Sequence, residues 1–337
     1  MMRTRILAAL GLALLAPLIG EYLLGNLTIR DLAAIPFLAP MYGGGALLIR
    51  EIARRTGRGW PAILVLGLAY GVLEPGIFDG SLFALSYEGV DYAAARVPVL
   101  GFSAFYGLQF VINHAVWSIT IPIVLTESLA RRHRATPWLG RAGLAVTAVI
   151  YVLGGLLIRS FSIDNGQYKT SWTQAAGVLL VAAMLVAVAL RLPRPSPARS
   201  AGSLPRPWVA PVRSAGWVPR PWVAAVATFV VSGGYFVLPA GWPGVAAVLA
   251  IAATAALVVA RLARHAGWNG RHRVALATGA VVTYAAAAFS VTAFKHDNDP
   301  LAFAGNCVFA VAVLVLCALA AAAAHPTPAP EHLSETP

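Results

Sequence analysis

Ten apolar runs of about twenty residues recur along this chain, at 6–25, 32–49, 60–80, 101–126, 139–159, 173–190, 222–239, 243–261, 274–293 and 301–323. A helix of 18 or more such residues is long enough to cross a hydrocarbon core of about 30 Å. Lipid offers a backbone no water, so every peptide group must find its partner within the segment or in a closed barrel. Barrel strands would be shorter and would alternate apolar with polar residues, and the sequence has no such pattern. The expected fold class is all-α, a polytopic membrane helix bundle of about ten transmembrane helices. Only 11% of the 337 residues are charged, against about a quarter in soluble domains. The second run is the poorest helix, because it holds Pro36, Pro40 and the triplet Gly43–Gly45.

The basic residues set an orientation. With the N-terminus in the cytoplasm, 20 of the 25 lysines and arginines fall in inside segments. Both termini are then cytoplasmic. Trp60, Trp138, Trp172, Trp222 and Trp242 fall at the expected interfaces, as membrane tryptophans do. The net charge of +12 is accounted for by this asymmetry, so nucleic acid is not expected as a partner. The lipid bilayer is. The basic N-terminal stretch "MMRTRILAALGLALLAPLIGEYLLG" reads as a first transmembrane helix rather than a cleaved signal, since its apolar run is long and no A-x-A site follows. Arginine outnumbers lysine and alanine is abundant, a bias that suggests a bacterial cytoplasmic membrane.

The chain divides into a six-span half (1–190), a Pro- and Arg-rich cytoplasmic linker (191–221), a four-span half (222–324) and a Pro-rich tail (325–337) expected to be disordered. The linker carries a tandem copy, "SAGSLPRPWVA" then "SAGWVPRPWVA", and such composition stays extended and solvated. Cys307 and Cys317 lie ten residues apart in one run, about 15 Å along a helix and too far for a disulfide.

Ionisable side chains inside a bilayer are costly and mark cavities or pathways. Most of them sit in the six-span half. Glu21 ends the first run, Glu74 and Asp79 lie in "YGVLEPGIFDG", and Asn113 and His114 lie in "FVINHAVWSIT". Pro75 has no N–H, so the carbonyl of Gly71 loses its helical partner beside Glu74 and the helix breaks there. Glu74 sits about 21 Å along its span from Trp60, and His114 near the middle of the next. These two are the expected acid–base pair. Glu21, Tyr70, Phe78, Asp79, Phe110, Asn113 and Trp117 are the expected substrate-binding residues, with Phe110 and Trp117 flanking the imidazole at helical spacing. A second polar stretch, Lys295 to Asp299, faces outside with Asp164 and Asn165, and Asn306 lies one turn further in. It reads as a cation or headgroup site or as solvated turns before a helix. No metal site or cofactor is assigned, and no phosphate-loop, dinucleotide, H-E-x-x-H or C-x-x-C motif is present in the sequence.

The string "FVINH", Phe110 to His114, forty residues after Glu74, resembles the F-x-x-x-H motif of the CPBP intramembrane proteases, the CAAX-protease and bacteriocin-processing group. That resemblance implies a water activated by glutamate and histidines, hydrolysing an amide within the bilayer. The chain departs from the pattern at Pro75, where a second glutamate would stand. The one H-x-x-x-N string, His265 to Asn269, falls in an inside loop. The expected function is an enzyme acting on a lipid-soluble or membrane-peptide substrate, by hydrolysis or by proton-initiated cyclisation of an isoprenoid. A proton-coupled permease is the first alternative, since glycine and proline break its helices at depth. A non-catalytic scaffold, with Glu74 and His114 joining helices, is the second.

Overall fold

A computed structural model describes residues 2–87, 90–165, 167–194 and 216–324. The tail and most of the linker, including the first tandem copy, lie outside the described residues. Each expected run becomes a helix. The chain runs through α1 (Met2–Pro17), α2 (Ile35–Arg55), α3 (Trp60–Leu73), α4 (Ala104–Asn113), α5 (Ile121–Leu129), α6 (Arg141–Asp164), α7 (Trp172–Arg191), α8 (Pro221–Phe236), α9 (Trp242–Leu262), α10 (Gly270–Lys295) and α11 (Pro300–Ala323). α4 and α5 are two parts of one span, Ala104–Leu129. Among the described residues nine helices are long and apolar enough to cross a membrane, and α8 is a shorter tenth. Two small antiparallel hairpins, Ser86–Tyr87 with Val90–Asp91 and Arg96–Val97 with Phe102–Ser103, fill the connection from α3 to α4.

The second run corrects its expectation, because α2 is one helix of 21 residues with Pro40 inside it. Pro36 sits in its first turn, where a missing N–H costs nothing. Its glycines serve close packing. A Cβ on Gly43 would strike the carbonyl of Ala13 on α1, and one on Gly45 would come within 2.6 Å of the Tyr70 ring on α3. Burial against three neighbours outweighs the poor helix propensity of the triplet.

Burial separates an inner from an outer set of helices. Half of the α10 span is buried, but only 11% of the α6 and α9 spans, so α6 and α9 face lipid. One core cluster joins α1, α2 and α3 through Leu12, Tyr42, Ile63 and Tyr70. A second joins the end of α1 to α5, α10 and α11 through Leu23, Leu125, Val281 and Cys317. α10 and α11 therefore pack into the same bundle as the first six spans. At the end opposite the arginine-rich loops, Arg30 grips Asp299 through two bonds of 2.7 and 3.1 Å. Asp299 also caps α11 by accepting from Leu301 N–H. The arginine beside it holds the Asp299 carboxyl down at about 2.

Three spans carry π turns, at Leu18–Tyr22, Glu74–Phe78 and His114–Thr120. Each lies beside a proline, Pro17, Pro75 or Pro122, and each shifts the ladder to the wider i→i+5 spacing. Leu23 N–H donates to Leu18 O, and Asp79 N–H to Glu74 O. Ile121 N–H donates to Val116 O, and the Thr120 hydroxyl satisfies the carbonyl of Ala115 at 2.7 Å. Such turns inside helices are frequent at functional sites.

Candidate functional site

Each π turn carries one ionisable group, Glu21, Glu74 or His114, and the bundle brings them together. His114 Nε2 lies 3.1 Å from Glu74 Oε2. Tyr42, from α2, donates its hydroxyl to Glu21 Oε1 at 2.5 Å. The same phenol oxygen lies 3.4 Å from His114 Nε2 and 3.5 Å from Glu74 Oε1. Three side chains, one from each π turn, thus surround the hydroxyl of Tyr42. Glu74 is 2% exposed and Tyr42 3%. Glu21 is less buried, and its second oxygen accepts from Asn26 Nδ2 at 3.2 Å in the turn after α1.

The imidazole is oriented from behind. His114 Nδ1 lies 2.8 Å from the carbonyl of Phe110. A carbonyl only accepts, so Nδ1 carries the hydrogen. Nε2 is then the nitrogen that gains or loses a proton, and it points at the carboxylate. The close approach depends on Gly71, where a Cβ would strike the carbonyl of Val111. Gly71→Ala is expected to part α3 from α4, with a loss of about 1–3 kcal/mol from overpacking. Thermal unfolding against Gly11→Ala, where a Cβ would meet nothing within 4 Å, checks this. An equal response of the two variants would remove the packing argument.

An aromatic wall stands on one side. Tyr70 lies with its ring centroid 6.0 Å from His114 and 6.1 Å from Tyr42. Tyr151 follows at 6.2 Å from Tyr70, and Phe78 at 5.7 Å from Tyr151. The Tyr70 hydroxyl is buried and has no hydrogen-bond partner among the described residues. No group of three or more His, Cys, Asp or Glu side chains among the described residues is placed to hold a metal ion.

Of the residues expected from sequence, Glu21, Glu74 and His114 meet, with Tyr70 beside them and Phe78 at the far end of its wall. The others do not join them. Asp79 caps a turn by accepting from the amide and hydroxyl of Ser81. Phe110 contributes its carbonyl, while its ring packs against Tyr92 at 5.4 Å. Asn113 accepts from the Tyr235 hydroxyl at 3.1 Å. Trp117 stacks on Tyr284 at 4.6 Å and donates to Ala280 O. The expectation that Phe110 and Trp117 flank the imidazole is therefore corrected. The wider turn from His114 to Thr120 rotates Trp117 toward α10, where ordinary helical spacing does not put it. Tyr42 was missed. Its one signal is the adjoining Gly43–Gly45, which marks a place where helices come close.

The outer polar stretch resolves into capping and joining contacts. His296 Nε2 reaches the carbonyls of Gly25 and Asn26 at 3.2 Å. Asn306 donates to Ala288 O and to Thr292 Oγ1 between α10 and α11.

A family model described as an uncharacterized membrane protein family matches residues 10–335, and the chain belongs to that family. No curated protein and no solved structure matches it. The resemblance to the CPBP proteases is thereby overturned, since a different family spans nearly the whole chain. The geometry gives the reason. The Phe110 ring packs against Tyr92, and His265 lies in the turn after α9 rather than in a span. The F-x-x-x-H string reflects only the carbonyl four residues before an imidazole.

Proposed function

We propose that this member of the family is a membrane-embedded enzyme that transfers protons to or from a lipid-soluble substrate at Glu74 and His114. The observation that carries the reading is the 3.1 Å approach of His114 Nε2 to the Glu74 carboxylate, with Nδ1 already committed to a carbonyl. One proton is then shared between an acid and a base of fixed orientation, which is the arrangement general acid–base chemistry requires. Tyr42 links this pair to Glu21, and Glu21 to Asn26 in the turn after α1. Through Tyr42 a spent proton has a route from the buried pair to Glu21, the less buried carboxylate. Tyr70 supplies a buried hydroxyl with no hydrogen-bond partner among the described residues, and the rings of Tyr70, Tyr151 and Phe78 form an apolar wall. An aromatic face beside an acid suits a substrate that develops positive charge, so proton-initiated rearrangement of an isoprenoid is the form of the reaction that the wall favours.

The same relay supports a second reading, a proton-coupled permease, because acid–base groups in series also carry protons through a membrane. Comparing lipid extracts by mass spectrometry separates the two. Cells lacking the protein are expected to lose one lipid product and accumulate its precursor, and His114→Ala is expected not to restore it. An unchanged lipid profile, together with proton-dependent uptake restored by wild type alone, would leave the permease standing and the enzyme excluded.

A further inference from the structure

The connection from α3 to α4 carries an apolar turn that the protein leaves uncovered. Between Arg96–Val97 and Phe102–Ser103 the chain reads Pro98, Val99, Leu100 and Gly101. Turns that face water draw on glycine, proline, asparagine, aspartate and serine. Gly101 meets the steric demand here, with a left-handed φ of 74° and its N–H donated to Val97 O at 2.9 Å. Val99 and Leu100 serve no such demand. They are not packed in the core either, since Val99 is 95% exposed and Leu100 55%. The residues that join the other hairpin are Glu88 and Gly89, a polar pair.

The depth of the turn follows from its neighbours. α7 has 20 residues, about 30 Å of helix, which is the thickness of the hydrocarbon core. Its first turn therefore lies at the membrane boundary, where Trp172 is 92% exposed in the place that membrane tryptophans take. The hairpin rests on this first turn, because a Cβ on Gly101 would come 3.3 Å from Gln174 Nε2. The Gln174 side chain is itself fixed there, accepting from Ser171 N–H at 2.9 Å. Two residues beyond Gly101, Ser103 caps the start of α4 by accepting from Tyr106 N–H at 3.2 Å. The second strand is thus held between the first turns of two spans. Arg96 flanks the turn and is exposed, and a cation beside an apolar tip matches the phosphates of the headgroup layer.

We propose that the turn from Pro98 to Leu100 inserts into the bilayer at this boundary, and that its partner is the lipid surface. A stable protein partner would need about 1,000 Å² of interface, far more than a two-residue tip presents. The inference does not depend on the acid–base pair.

The test uses the full-length protein in phosphatidylcholine and phosphatidylglycerol vesicles. Cys307 is exposed and Cys317 buried, so the environment-sensitive dye NBD is placed on Val99→Cys in a Cys307→Ser background. Its emission is expected to be blue-shifted from that of the dye on Asp164→Cys, an exposed polar position at the end of α6. It should also be quenched by acyl chains brominated about 5–10 Å below the headgroups, while the dye at Asp164→Cys is not. Leu100→Cys should respond in the same way, which guards against one poorly tolerated label. Adding Leu100→Asp to labelled Val99→Cys should remove both the shift and the quenching and leave the helical circular dichroism unchanged. Emission at positions 99 and 100 equal to that at 164 would overturn the proposal. A blue shift without bromine quenching would overturn it too, by placing the turn against a second copy of the chain. Full quenching retained with Leu100→Asp would show that the dye inserts by itself, and would also overturn it.

Discussion

Glu74→Gln is expected to abolish the activity and leave the protein folded and inserted. Glutamine has the same shape and keeps an acceptor for Tyr42, but it cannot give up or take a proton. Removing a positioned acid or base lowers a rate by about 10²- to 10⁴-fold, enough to erase the lipid product whose loss marks the deletion strain. The two other readings of the pair answer differently. If Glu74 and His114 only join helices, glutamine serves as well as glutamate, and the product stays at its wild-type level. If the pair binds protons for transport, there is no product to lose. The unfolding temperature of the variant decides what its inactivity means. A value near wild type locates the loss in the chemistry, whereas a large fall would make Glu74 a packing residue and withdraw the enzyme reading.

The spans were legible because lipid leaves a backbone few choices, and ten runs of apolar residues returned ten helices. Where the reading of the sequence failed, tertiary contact outweighed a local rule. α2 holds together through Gly43–Gly45 because three other helices press against it, and no property of the triplet alone announces those neighbours. Glu74 and His114 were legible as charges at depth, but their meeting depends on π turns. A π turn changes which residues share a face, so the spacing rule that linked His114 to Trp117 pointed to the wrong interface. Tyr42 was hidden by its type. In a span full of apolar residues a tyrosine counts as one more aromatic ring, and only its three glycine neighbours hint that its hydroxyl reaches a partner.

The arginines show the opposite failure, in which a rule succeeded and concealed a structure. Arg50 and Arg54 were counted as orientation signals at the end of a span, yet Arg50 is fully buried. Its guanidinium lies 3.4 Å above the Trp138 ring, bonds to Glu51 at 2.8 Å and stands with its Nε 3.0 Å from the Glu127 carboxylate. Glu51 in turn accepts from the peptide N–H of Trp138 at 2.7 Å and of Leu139 at 3.3 Å. Glu51→Ala is therefore expected to cost about 3–5 kcal/mol. It strands a buried cation beside one remaining carboxylate, which Arg54 already shares, and it leaves two peptide donors without their acceptor. Unfolding by denaturant in detergent, followed by tryptophan fluorescence, measures the loss. Glu51→Gln keeps an acceptor for the peptide groups and should cost less than alanine. Replacing Arg50 and Glu51 together by methionine and leucine should cost less than the two single changes added, because no unpaired charge is left in the pair. A loss no larger than that of an exposed pair, about 1 kcal/mol or less, would show that water reaches Arg50 and that the network is not a core.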